Sequence, residues 1–184
     1  MKMIRSFLAM SAAIIALSLV NVNAQSFSGS TTRSGKTIER QIYKKIIALP
    51  NYGVFDYITF QVQGDTVVLS GKVYSLGTKS LAPRVVSDVP GVRRVVNNIQ
   101  DLPVGGFDNT IRRDLLRTFS NHGLSGYFWE TNPEAHIIVE NGHVTLEGHV
   151  YSMGDYNSMN ILASGVPGVF SVTNHLVVGK DQYR

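Results

Sequence analysis

Six residues between Glu134 and Val150 carry side chains that a divalent metal would use: Glu134, His136, Glu140, His143, Glu147 and His149. Asn141-Gly142 sits among them, and Asn-Gly closes two-residue hairpins because both turn positions need positive φ. Pairing across that turn sets Glu140 opposite His143, His136 opposite Glu147 and Glu134 opposite His149. Strand alternation then places all six on the outward face, with Ile137 and Val139 pointing in. Such a cluster is a zinc donor set. Opposite-charge pairs on a solvated strand face account for the same residues more simply, at roughly 0.2–1 kcal/mol each. A second hairpin upstream keeps the geometry without histidine, with Tyr57 opposite Lys72 and Thr59 opposite Ser70. No metal site and no cofactor are assigned. Histidine titrates near neutrality, which leaves room for a pH-dependent contact.

The other candidate residues suit an anionic surface. Lys36, Arg40, Lys44 and Lys45 line the polar side of a helical segment, and Arg93 and Arg94 lead a later strand. Arg112, Arg113 and Arg117 precede Tyr127, Phe128 and Trp129. Guanidinium groups beside aromatic rings fit a lipid headgroup boundary, where rings enter the interface and charges meet phosphates. Packing competes as an explanation for the rings, since Tyr52, Phe55 and Tyr57 occupy the comparable upstream place. No phosphate-binding loop, nucleophile elbow or zinc-protease motif occurs. With no cysteine in the chain, thiolate metal sites and cysteine nucleophiles are excluded. Nothing resembles a nucleic-acid-binding motif.

The elements that position these residues come twice. Shifted by 77 positions, Val67–Ile99 aligns with Val144–Leu176 without a gap, and 14 of 33 positions are identical. VVLSGKVYS returns as VTLEGHVYS, VPGV returns at Val166–Val169, and Asn97 returns as Asn174. A period of that length is one small domain per copy. In the first copy Ile38, Ile42, Ile46 and Leu49 share a helical face before Pro50; in the second, Ile111, Leu115 and Phe119 do, with Asp108 or Thr110 as N-cap and Gly123 as terminator. A hairpin follows in each, interrupted at Gly71 and Gly148, where the expectation is a close approach by a helix of the other half. Then come a helix capped by Thr78 or Asp155, with Pro83 expected to kink or shorten the first, and a last strand after VPGV. The order per copy is αββαβ.

The N-terminus reads as an export signal: Lys2 and Arg5, an apolar run from Phe7 to Val20, then Val22 and Ala24 before Gln25. The run is shorter than the ~20 residues of a membrane span. Charge is uneven between the copies. Residues 25–107 hold ten bases and five acids, and residues 108–184 five bases and eight acids, so the halves have opposite sign. They could attract each other, or the basic half could meet lipid.

The hairpin with its N/D-G turn, V-x-L-x-G-x-V, the helix and V-P-G-V-x-x-V-x-N together resemble the BON domain of exported bacterial proteins, in two copies. The resemblance implies an αββαβ fold, a cell-envelope location and a non-enzymatic role. It also implies a link to envelope or osmotic stress and binding to phospholipid surfaces or other envelope proteins. The expected organisation is a signal peptide (1–24), a flexible Ser/Thr/Gly-rich leader (25–35), a first domain (36–104), a short linker and a second domain (108–180). The fold class is α+β, each domain a three-stranded mixed sheet packed against two helices. The expected function is periplasmic association with anionic phospholipid headgroups, with no membrane span in the mature chain. The alternative is a chaperone-like or scaffold protein that binds envelope proteins.

Overall fold

The computed structural model of the protein describes residues 30–129 and 132–180; the expected signal peptide lies outside the described residues. The first unit runs α1 (Ser30–Ile47), β1 (Tyr57–Gln63), β2 (Thr66–Val73), α2 (Thr78–Ser87) and β3 (Arg94–Asp101). The second runs α3 (Gly106–Asn121), a 3-10 turn (Ser125–Tyr127), β4 (Ala135–Glu140), β5 (His143–Val150), α4 (Met153–Ser164), β6 (Ser171–Asn174) and β7 (Val177–Val178). Residues 30–35, expected as leader, are the first turns of α1. Each unit has the αββαβ order, the last strand of the second being split in two.

Both sheets are mixed. β1 pairs antiparallel with β2 and β2 parallel with β3; β4, β5 and β6 repeat this, and β7 continues alongside β5. The registers are those expected from the turns: Tyr57 opposite Lys72, Thr59 opposite Ser70, His136 opposite Glu147 and Glu140 opposite His143. Asn141 and Gly142 both have positive φ, 52° and 79°. Alternation sends Val67, Leu69 and Val73 onto Ile42, Ile46, Ala82 and Val86, which form the first core. Val144, Leu146 and Val150 meet Ile111, Leu115, Phe119 and Met159 in the second.

Several local expectations change. Gly71 and Gly148 do mark a close approach, but to the neighbouring strand. A Cβ at Gly71 would lie 2.1 Å from the Tyr57 carbonyl oxygen, and one at Gly148 2.2 Å from that of Glu134, with φ of 125° and 100°. Asp108 is no N-cap. Gly105 holds that place, and the Asp108 carboxylate leaves the helix to accept from the N–H groups of Asn141 and Gly142 at 2.8 and 2.9 Å. Ser152 caps α4, its hydroxyl accepting from the Asp155 N–H at 3.1 Å while donating to the Asp155 carboxylate. In α2 the cap is Gly77, and the helix has 10 residues against 12 in α4.

The repeated asparagine ties helix to strand. Asn97 Nδ2 donates to the Lys79 carbonyl at 2.8 Å and Oδ1 accepts from the Ile99 N–H at 3.2 Å; Asn174 does the same with Tyr156 and Leu176 at 3.1 Å each. In α2 this compensates Pro83, which has no N–H to give the carbonyl four residues back.

Candidate functional site

The two units dock, and the seam is aromatic. The segment after α1 reaches into the second unit: Val54 is buried within its core, and the Val54 carbonyl accepts from the Ile137 N–H at 2.8 Å, covering the outer edge of β4. His136 is therefore buried rather than on a solvated face. It lies between the rings of Tyr52 and Tyr57, with centroids 5.7 and 5.2 Å away, and its Nδ1 is 3.3 Å from the Gly53 carbonyl. Glu140 pairs with Lys72 of the first unit instead of His143, whose Nδ1 is 2.7 Å from Ser171 Oγ. Glu147 meets His175 at 2.9 Å. Among the described residues no group of three metal-ligating side chains converges.

Asp56 organises the seam from the first unit, and sequence reasoning passed over it. Its carboxylate is buried and accepts from the N–H groups of Gly53, Tyr74 and Ser75 at 3.0, 2.7 and 2.9 Å, and from the Ser75 hydroxyl at 2.7 Å. Those bonds hold the 52–56 segment against the end of β2, which aims Val54 and Phe55 at the second unit. The only hint in the sequence was an acid inside an otherwise aromatic loop.

The twelve candidate residues separate into distinct settings. Arg112 is 1 % exposed, so its expected contact with headgroups is corrected. Its guanidinium stacks 4.5 Å from the Tyr74 ring centroid of the first unit and donates to Asn109 Oδ1 at 2.6 Å and to the Val139 carbonyl. Burial lowers its pKa, against the pull of Asp108. Tyr127 and Phe128 are likewise buried. The Tyr127 hydroxyl donates to Asp155 at 2.8 Å and accepts from the Tyr151 N–H at 3.0 Å, and burial raises its pKa to about 12. Phe128 stacks on Phe119 with centroids 5.2 Å apart. Those two rings fill the core, while Trp129 is 71 % exposed.

The remaining bases stay at the surface. Arg40, Lys44 and Lys45 are exposed on α1; Lys36 is in the same helix, its side chain outside the described part. Arg93 and Arg94 are exposed too, with Arg93 3.7 Å from Asp65. The loop leading to them packs on α1, where Gly91 lies against Ile38. Asn132 meets the helix α1, its Oδ1 3.5 Å from the Tyr43 hydroxyl. Arg113 and Arg117 are exposed on α3, and Arg117 pairs with Asp114 at 2.9 Å. No described helix is long and apolar enough to cross a membrane.

Two αββαβ units, joined where Val54 of the first enters the core of the second, make a tandem module with exposed bases on the first. The BON domain family model matches it twice, at residues 34–101 and 108–180, and the chain belongs to that family. BON domains are generally non-catalytic binding domains, typically associated with the cell envelope. Two solved structures of CdsD, a structural protein of the type III secretion system of Chlamydia trachomatis, are similar at 13% identity each. The one of its C-terminal domain covers 76% of this chain and 96% of its own with a TM-score of 0.32; the other covers 79% and 94% with 0.33. At those scores neither carries an argument. No curated protein matches.

Proposed function

We propose that the protein is a non-enzymatic envelope protein, exported to the periplasm, that associates reversibly with anionic phospholipid surfaces through the basic surface of its first unit, in envelope or osmotic stress. One observation carries this reading. The two halves have opposite net charge, yet docking uses little of it. Among the described residues, the ion pair recorded between the units is Lys72 with Glu140, and Arg40, Lys44 and Lys45 make none. Bases that are exposed and spared by the partner domain are available to phosphate groups. An anionic leaflet attracts each by about 1 kcal/mol near its surface.

Sedimentation with liposomes tests it. The protein should bind vesicles of anionic lipid and not of zwitterionic lipid, and lose binding between low and physiological salt. Neutralising Lys36, Arg40 and Lys44 together should weaken it by about 3 kcal/mol, on the order of a hundredfold. Equal binding to both vesicle types, or none to either, sinks the reading.

A second reading rests on a different surface. Phe107 and Phe170 are exposed and in ring contact, with centroids 6.0 Å apart, at one end of the second unit. Exposed apolar groups of this size suit a protein partner, as a scaffold or chaperone-like role requires. Absence of vesicle binding, with cross-links to envelope proteins that Phe107→Ser and Phe170→Ser abolish, would favour it.

A further inference from the structure

Asn141 is the one asparagine of the chain that is followed by glycine. The pair suits the hairpin turn, with φ of 52° and 79°, and it is also chemically labile. Glycine puts no side chain in the way of its own amide nitrogen, and that nitrogen can attack the carboxamide carbon of the preceding asparagine. Asn141 is exposed, so the water that such a reaction consumes has access.

What surrounds the Gly142 amide works against that attack. Gly142 is buried, and its N–H donates to Asp108 Oδ1 at 2.9 Å, while the Asn141 N–H donates to Oδ2 at 2.8 Å. Asp108 is itself buried. A carboxylate in that place opposes the reaction in two ways. It keeps the proton on the nitrogen, because an amide anion beside a carboxylate is a like-charge pair. It also fixes the direction of both N–H groups, so the nitrogen is kept from swinging towards Asn141 Cγ. Gly142 is held from the far side as well. Its carbonyl accepts from the Phe170 N–H at 2.9 Å, and the Phe170 ring lies so close that a Cβ at Gly142 would be 2.7 Å from Cδ2. The first unit closes the equivalent turn with Gly64-Asp65 and keeps the matching bond, from the Arg93 N–H to the Asp65 carbonyl at 2.8 Å. The hairpin can therefore be built without the labile pair.

We propose that Asn141 is a modification site, open to spontaneous deamidation, and that Asp108 is the clamp that holds the reaction off in the folded protein. In the step, Gly142 N gives its proton to hydroxide and bonds to Asn141 Cγ. The Cγ–Nδ2 bond breaks, and the nitrogen leaves as ammonia after taking a proton from water. One water then opens the cyclic imide at either carbonyl, leaving aspartate or its β-linked isomer at position 141. The product carries a second carboxylate beside Asp108, so the clamp does not close again. The site is in the second unit and stands or falls apart from the vesicle reading.

Peptide mapping by mass spectrometry, on protein aged at mildly alkaline pH below its unfolding temperature, tests this. Position 141 should convert at least about tenfold more slowly in the folded protein than in a synthetic peptide spanning Ile138–Thr145. Asp108→Asn loses the charge and accepts on one side only. While folded by circular dichroism, it should convert at least about tenfold faster than the wild type. Phe170→Ser removes the ring but keeps the carboxylate, and should convert more slowly than Asp108→Asn. Native-state hydrogen exchange on the wild type guards against a variant that fails to fold: the Gly142 N–H should be among the slowly exchanging amides. A wild type that ages as fast as the peptide, a folded Asp108→Asn that ages as slowly as the wild type, Phe170→Ser ageing as fast as Asp108→Asn, or a freely exchanging Gly142 N–H would overturn the proposal.

Discussion

Asp56 shows how one side chain sets the geometry of a whole seam. Four donors converge on its buried carboxylate, and a hydrogen bond to a charged group contributes roughly 1.5–3 kcal/mol net. Asp56→Ala should cost about 3 kcal/mol in urea unfolding, with Asp56→Asn intermediate because an amide accepts on one side only. Arg112 carries the opposite lesson. A charged residue on a helix reads as solvated, but its neighbours in space, Tyr74 and the Val139 carbonyl, are 27 or more residues away in the chain or in the other unit. Arg112→Ala should lower stability by about 3 kcal/mol, as removal of a buried, bonded charge does, and leave vesicle binding by the folded fraction unchanged. Buried tyrosines give the molecule an alkaline limit. Tyr127 has its pKa raised to about 12 from an ordinary value of 10, and Tyr52 is raised further, both chiefly by burial. The unfolded chain loses these protons first, so stability is complete below pH 10 and falls as pH rises towards 12, by about 1.4 kcal/mol per pH unit for each group. Tyr127→Phe should flatten that slope in denaturant titrations at pH 9 to 12.

At the scale of elements, most of the order was legible because it rests on local rules. The Asn-Gly turn fixes a register, alternation fixes the inward face, and VPGV stops a helix wherever it falls. The repeat doubled each signal. Where the reading went astray, the deciding partner was distant. Gly71 and Gly148 announced a close approach, but which backbone came close depended on sheet geometry. Thr78 and Asp155 looked like caps by residue type, yet Ser152, three residues earlier, holds that role in α4. The shared asparagine stood out only as an identity between copies; its function appears once helix and strand are side by side. That function predicts an asymmetry. Asn174 supplements a carbonyl in α4 that can also receive the Asn160 N–H, whereas Asn97 serves the Lys79 carbonyl opposite Pro83, which has no N–H. Asn97→Ala should cost about 2 kcal/mol and Asn174→Ala about 1, by thermal or urea unfolding.

For the whole molecule, opposite net charge suggested docking or lipid, and the described seam uses one ion pair, Lys72 with Glu140. The seam is made of Val54, Phe55, the Tyr52–His136–Tyr57 cluster and the stack of Arg112 on Tyr74. Among the described residues, Arg40, Lys44 and Lys45 of α1 form no ion pair across it. Sequence patterning could not foresee this, because the buried outer face of β4 alternates as an exposed one would and reads as solvated until another domain covers it. Because Val54 belongs to the core of the second unit while being part of the first, the two should unfold as one cooperative body. Val54→Asp places a carboxylate in that core without a partner, which is costly, and also breaks the geometry that brings the Val54 carbonyl to Ile137. The expected result is a single calorimetric transition split into two, the second unit melting lower and the first near its original temperature. The exposed bases Arg40, Lys44 and Lys45 belong to α1 of the first unit, so vesicle binding should survive the split. A variant that still melts in one step would mean that the remaining seam holds the units together without Val54.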